Sequence, residues 1–362
     1  MIAKQTLLSA SLVAWLAASA DFAHAEPDAP PPRPSEVRPE PPPRPTGSFE
    51  LGAGFSNEEG FIASAAIAQD NLFGTGDRLA LGARISARRQ RFDLAFEHRH
   101  LFGSSLSLAA ELTDDARHLY GLTREAVGGS LTLSQQLAPH LRGFVGYRLE
   151  QIVVTPDVPS AIARELPGTD PPRGRRLGAL RTGLEYNTLD TPVMPLRGTS
   201  IGSSVEIADR DLGSQIQMMR TDAWLSHHRG LGPLTLHVGG SVSAVSSGAP
   251  LSERLQFDGS SDIRGFALGD LGPIDRNGMS LGGTFKYTAR AELEVPLVPR
   301  LGISAAGFVD AAGLVAGARG WSGASTGFGV IWRSPIGPLR LDVAFPLDGG
   351  RPSLVFGLGG TL

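Results

Sequence analysis

The chain has 362 residues, 41% of them apolar and 19% charged, with 46 Gly and no Cys. The absence of Cys excludes disulfides and thiolate metal centres, and a net charge of −3 with a pI near 6.3 excludes bulk affinity for nucleic acid. Length alone suggests about two or three soluble domains, a prior that fails if the chain forms one large barrel.

The N-terminus reads as an export signal over residues 1–25. Lys4 gives a positive start, Leu7 to Ala20 form an apolar run, and Ala23-His24-Ala25 is a small-residue cleavage site, so the mature chain would begin at Glu26. A membrane anchor is the competing reading, but the run is too short to span comfortably. Residues 26–46 hold ten Pro among Glu, Arg and Asp. Such a stretch builds no core and is expected as an extended, disordered periplasmic linker reaching roughly 60 Å. It serves either as an arm for a periplasmic partner or as a solubilising tether.

From Gly47 onward the period is two. Leu79, Leu81, Ala83 and Ile85 oppose Arg78, Ala80, Gly82 and Arg84, and Leu106, Leu108, Ala110 and Leu112 oppose Ser105, Ser107, Ala109 and Glu111. Leu180, Thr182, Leu184 and Tyr186, and later Leu339, Leu341, Val343 and Phe345, repeat the pattern. A soluble sandwich would bury the apolar face. The export signal, the lack of Cys and strands of about ten residues favour the inverse, apolar faces toward lipid and polar faces lining a lumen. Such a sheet must close, since an open edge leaves backbone groups unpaired in hydrocarbon.

Strands are expected to start near Ser48, Glu58, Asp77, Arg91, Ser104, Thr123, His140, Arg175, Thr199, Gln215 and Leu234, then near Gly283, Leu301, Ser325, Gly337 and Pro352. The fold class is therefore all-β: a transmembrane antiparallel barrel of about sixteen strands over residues 47–362. Asn71–Gly76, Phe102-Gly103 and Ser334–Pro338 read as tight periplasmic turns. The longer Pro156–Gly174 and Ser247–Gly282 would face outward, the second long enough to fold back into the lumen.

Within that second loop lies Asp258-Gly-Ser-Ser-Asp-Ile-Arg-Gly-Phe266. A lone Arg between apolar and Gly residues suits a guanidinium sent into a polar cavity, where its fork grips carboxylates in two directions. The segment resembles the loop signature of the BamA/TamA superfamily of outer-membrane assembly and secretion barrels (bacterial surface antigen family). The likeness runs on through Gly282-Gly283, Ala291–Leu297, Gly307–Gly313, Gly329–Pro338 and Asp342–Leu347, and upstream through Gln69–Gly76 and Asp190–Gly198. It thus extends over essentially all of residues 47–362.

The resemblance implies an outer-membrane barrel that assists insertion or translocation of proteins through a loop-gated lumen or a lateral seam. Outer-membrane lipid and client outer-membrane proteins would be its partners. It also implies a clamp in which Arg264, flanked by Gly265 and Phe266, reaches Glu294 and Asp310, both of which parity places on the lumen face. Three departures stand out. The family's periplasmic POTRA modules do not fit in 21 Pro-rich residues, so a short form lacking them is expected, and client handling is in question. The family's Phe-x-Asp-x-Gly reads Phe308-Val-Asp-Ala-Ala312, with Gly at 313, and Leu362 replaces the usual terminal aromatic. The Gly-rich end, Phe356–Leu362, reads either as a loose partner for the first strand or as ordinary barrel glycine.

No strand–Gly loop–helix pattern, His cluster at ligand spacing or nucleophile elbow stands out, so no enzyme, cofactor or metal is expected. The alternative function is a passive pore or structural barrel without client handling.

Overall fold

Apolar side chains at every second position, with small or charged ones between, force an extended backbone whose two faces meet different solvents. The computed structural model describes residues 46–56, 59–157, 174–191, 194–334 and 337–358. The expected export signal, nearly all of the Pro-rich linker, the middle of the Pro156–Gly174 loop and residues 359–362 lie outside them.

The described strands are β1 (Gly47–Ser56), β2 (Gly60–Leu72), β3 (Asp77–Ser86), β4 (Arg89–His98), β5 (Leu106–Leu119), β6 (Leu122–Ala138), β7 (Leu141–Pro156) and β8 (Arg175–Asn187). They continue as β9 (Gly198–Ala208), β10 (Met218–Leu231), β11 (Leu234–Val245), β12 (Phe285–Val298), β13 (Ile303–Ala316), β14 (Arg319–Ser334), β15 (Gly337–Pro346) and β16 (Ser353–Leu358). Each pairs antiparallel with its sequence neighbours, and β16 returns to β1 at Phe55↔Leu358, closing the barrel.

The strand starts fall close to those expected, with one clear exception: β14 begins at Arg319, not near Ser325. Its first turn-side half, Arg-Gly-Trp-Ser-Gly-Ala, has too few apolar residues to alternate visibly. The reason is local. A Cβ at Gly323 would lie 2.7 Å from Cζ of Phe266, so the strand is stripped of side chains to admit a ring.

The burial pattern is inverted relative to a soluble protein. Leu51, Leu81, Leu112, Leu131, Val309, Phe328 and Leu341 point outward and are exposed, while Asp115, Arg220, Asp222, Asp310 and Asp342 point inward and are buried. Phe73 and Phe102, the most exposed aromatics, sit in the short turns, where rings anchor at a membrane interface. Toward the long-loop rim the inner face itself turns apolar: Leu119, Leu122, Ile152, Leu177, Met218, Val245 and Leu314 face inward. There they meet Ala249, Leu251, Leu255 and Met279 of the segment between β11 and β12.

Leu131→Arg, near the middle of β6 on the outer face, should lower the unfolding free energy in lipid vesicles by about 2–4 kcal/mol. Leu137→Arg, close to the short turn after β6, should cost only about 0–1 kcal/mol. Equilibrium denaturant titrations of the two variants read the difference, and equal costs would place both residues away from the hydrocarbon.

Candidate functional site

The segment 246–284 joins β11 to β12 and folds over the inner face. Leu255 bridges to Gly283 at its root and Ile274 to Ser280 further along. Asp262 shapes the motif turn: its Oδ2 accepts from the Asp258 amide at 2.7 Å, and both its oxygens accept from Lys286 Nζ of β12 at 3.0 and 3.1 Å. This turn presents Ile263 to Phe266 to the wall.

Arg264 lies in a nest of carboxylates from three strands. Its Nε and Nη2 donate side by side to Asp310 of β13 at 2.6 and 2.7 Å, and its backbone N–H reaches the same carboxylate at 3.2 Å. Nη1 donates to Glu292 of β12 at 2.8 Å and to Asp342 of β15 at 3.2 Å. The guanidinium carbon sits 3.4 Å from the centroid of the Phe308 ring, a cation–π contact in a desolvated setting. Burial alone would lower the pKa of Arg264, but its hydrogen bonds and charge contacts to Asp310 and Glu292 reverse this and raise it. Arg340 of β15 completes the cluster by donating to Asp342 at 2.7 Å and to Glu292 at 2.9 Å.

The neighbours of Arg264 explain the rest of the motif. Gly265 has φ +97°, and a Cβ there would also press on Ala344 at 3.2 Å and Pro346 at 3.3 Å. Phe266 is buried with Phe257, Ile263, Leu271 and Ala312, with Trp321 packed alongside. Ala312 takes the place of the glycine expected at that position, and its methyl becomes part of the floor under the ring.

Glu294, expected as a second partner of Arg264, is not one. Antiparallel register sets Arg290 opposite Asp310 and Glu292 opposite Phe308, whereas Glu294 lies opposite Ala306, four positions along the strand and about 14 Å away. Glu294 instead accepts from Arg333 of β14 at 2.5 and 2.8 Å and contacts His237 of β11 at 3.2 Å. The partners of Arg264 are Asp310, Glu292 and Asp342. Parity put Glu292 and Glu294 on one face, and only the register separates them.

Sequence reasoning missed a second anchor of opposite charge. Glu253, near the segment's root and almost fully buried, accepts from Arg124 of β6 at 2.9 Å and lies 3.5 Å from Arg220 of β10. Arg220 also donates to the Glu253 carbonyl. Burial pushes the Glu253 carboxyl up, but Arg124, Arg220 and Arg148 together outweigh burial and hold it below the usual carboxylate value. The signal was present: Arg124, Arg148 and Arg220 all have inward parity on strands far apart in sequence. Nothing in the sequence says which acid meets them. Beneath Ser252–Gln256 lies a cavity of ≈ 250 Å³ lined by these arginines together with Arg117, Glu150 and Glu206.

Asp310→Asn should loosen the tip by about 3 kcal/mol, the low end for breaking a buried ion pair because Glu292 and Asp342 remain. Amide hydrogen exchange at Ile263–Phe266 should accelerate by about two orders of magnitude, while Glu294→Gln leaves it unchanged. Acceleration by the second variant instead would return Glu294 to the clamp.

Because the Glu253 pKa is depressed in the folded state, its stabilisation is fully present above the unfolded carboxylate value near 4.3 and is lost as pH falls through the folded value. Exchange at Leu251–Leu255 should therefore rise on acidification below about pH 4. In Glu253→Gln it should already be fast at neutral pH, with the acid step abolished.

The Omp85 superfamily domain matches residues 71–361. Among curated relatives, the outer membrane protein assembly factor BamA of Neorickettsia risticii (strain Illinois) is 28% identical over 85% of this chain and 43% of its own length. That of Neisseria meningitidis serogroup B (strain ATCC BAA-335 / MC58) is 28% identical over 84% of this chain and 45% of its own. The chain spans less than half the length of these relatives. In overall fold it superposes on BamA from Haemophilus ducreyi lacking POTRA domains 1–3, with TM-score 0.74, 21% identity, and 88% and 71% of the two chains covered. CdiB from Escherichia coli superposes with TM-score 0.60 at 13% identity, covering 88% and 63%. With the sixteen-stranded barrel and most of the sequence matched, the chain belongs to the Omp85 superfamily and resides in the bacterial outer membrane.

Proposed function

We propose that this barrel assists insertion or translocation of proteins at the outer membrane, with the segment 246–284 as its gate. The observation that carries the reading is the grip of one loop guanidinium on carboxylates of β12, β13 and β15, which ties the long connection to three strands of one side of the wall. A connection that merely joined two strands would gain nothing from burying four ionised groups, whose desolvation costs several kcal/mol each before pairing recovers it. Relatives named as outer membrane protein assembly factors support outer-membrane proteins as the substrate class.

Arg264, Gly265, Phe266, Asp310, Glu292 and Asp342 form the latch in this reading, and the latch decides whether the lumen is open. Glu294 acts beside it, bracing β11 and β14 through His237 and Arg333. A client strand would enter either through the lumen or at the β1–β16 junction. Among the described residues β1 meets β16 at one register position, against ten between β1 and β2. The Pro-rich stretch, read either as an arm for a periplasmic partner or as a solubilising tether, lies almost wholly outside the described residues.

Reconstituted vesicles test the reading with two readouts. Wild type should speed folding of a urea-denatured outer-membrane barrel over empty vesicles and stay mostly closed in planar-bilayer recordings. Arg264→Ala should open the conductance and lose the acceleration. Equal, steady conductance in both proteins with no acceleration would leave a passive pore.

A further inference from the structure

Register places three arginines side by side on the inner face near the long-loop rim. Arg89 of β4 stands directly opposite Arg117 of β5, and Arg117 directly opposite Arg124 of β6. Like charges directly opposite each other on one face destabilise a sheet, and all three residues are more than nine-tenths buried, where the repulsion is least screened. A row like this persists only where something negative compensates it.

The protein supplies part of that compensation. Arg89 donates to Asp115 at 2.7 Å and Arg124 to Glu253 at 2.9 Å, with Glu150 3.6 Å from Arg124, but Glu253 is shared with Arg220 and Glu150 with Arg148. Arg117, in the middle, donates neither Nε nor Nη2 to any described residue. Asp115 lies 3.9 Å away and is already held by Arg89, and Asp258 of the loop adds a weaker favourable charge. Nε and Nη2 of Arg117 and Nη2 of Arg89 are buried donors without a hydrogen-bond partner among the described residues. The empty edge of Arg117, Nε with Nη2, is the same edge by which Arg264 grips both oxygens of Asp310. Arg117 and Arg124 both line the ≈ 250 Å³ cavity under Ser252–Gln256, so the row borders open space.

We propose that Arg89, Arg117 and Arg124 form an oxyanion site that takes a phosphate-type group. Three orphaned N–H donors on two guanidinium planes exceed what one planar carboxylate satisfies. A tetrahedral oxyanion offers one oxygen pair to the Arg117 edge and further oxygens to Arg89 and Arg124. The group arrives either as the free ion or as a phosphomonoester headgroup. Bound beside Glu253, it links anion occupancy to the root of the loop through Arg124, which touches both.

The test uses the full chain refolded in detergent, with inorganic phosphate titrated against chloride at matched ionic strength. Wild type should bind phosphate saturably by calorimetry and rise in melting temperature. Arg117→Gln should melt no lower than wild type in chloride, because a repelling charge is gone, and should need at least about tenfold more phosphate for half-saturation. Arg142→Gln, also on the cavity wall but outside the row, should keep the wild-type response. Short-chain phosphatidic acid identifies the source: tighter binding than inorganic phosphate points to a headgroup, and equal binding to the free ion. No saturable phosphate binding by wild type, or an undiminished response in Arg117→Gln, overturns the proposal. If Arg117→Gln fails to fold in chloride, Arg117 is structural and the proposal is likewise overturned.

Discussion

A guanidinium held among three carboxylates on the inside of a closed sheet is the constraint on which the rest of the loop depends. Asp310 and Asp342 are fully buried, so each carboxylate needs a cation beside it. Arg340 supplies one positive charge from the wall, and Arg290 stands opposite Asp310 in register. The third cation, Arg264, comes from a loop, and that makes the loop's position a condition for balancing the wall's charge. Gly265, the ring of Phe266 and the bare face of Gly323 are what let the chain approach closely enough to deliver it.

The two anchors of the loop have opposite sign, and the wall is sorted to match. Acids on β12, β13 and β15 receive Arg264, while arginines on β6 and β10 receive Glu253. The same loop inserted in another direction would set Arg264 against arginines and Glu253 against carboxylates. Charge sorting therefore fixes orientation, whereas the apolar contacts around Leu122, Leu177 and Met279 are indifferent to it. Burial of those apolar groups supplies much of the favourable free energy, and the ion clusters supply register, a division of labour expected where buried pairs roughly break even against desolvation.

Much of this was legible in the sequence. Period-two alternation located fifteen of sixteen strands to within a few residues, and the missed start of β14 fell where Gly and Ser make room for Phe266. The motif around Arg264 was also legible, and parity put Asp310 on the lumen face, while its pairing with Arg264 came from the family resemblance. Choosing between Glu292 and Glu294 was not, because both have the same parity and only the pairing of β12 with β13 separates them by one pleat. Glu253 was illegible for a deeper reason. Its partners lie 129 and 33 residues away, on strands whose inward arginines resemble solvated lumen charges until the loop is placed over them. Sequence pattern reports which face a residue occupies. It does not report which residues from distant strands meet there.

Opening such a loop cannot be a gradual loosening. Withdrawing Arg264 leaves a carboxylate excess on β12, β13 and β15, and withdrawing Glu253 leaves an arginine excess on β6 and β10. If the segment acts as a gate, a half-open state that kept either cluster from water would carry a buried unpaired charge, which favours two discrete arrangements over a continuum. A ligand shifts that equilibrium only by the difference in its affinity for the two. A purely apolar client strand offers little such difference at the anchors. Any agent that opens the loop must bring charge of its own, a cation for the Asp310 side or an anion for the Arg124 side, so that the wall is never left unbalanced.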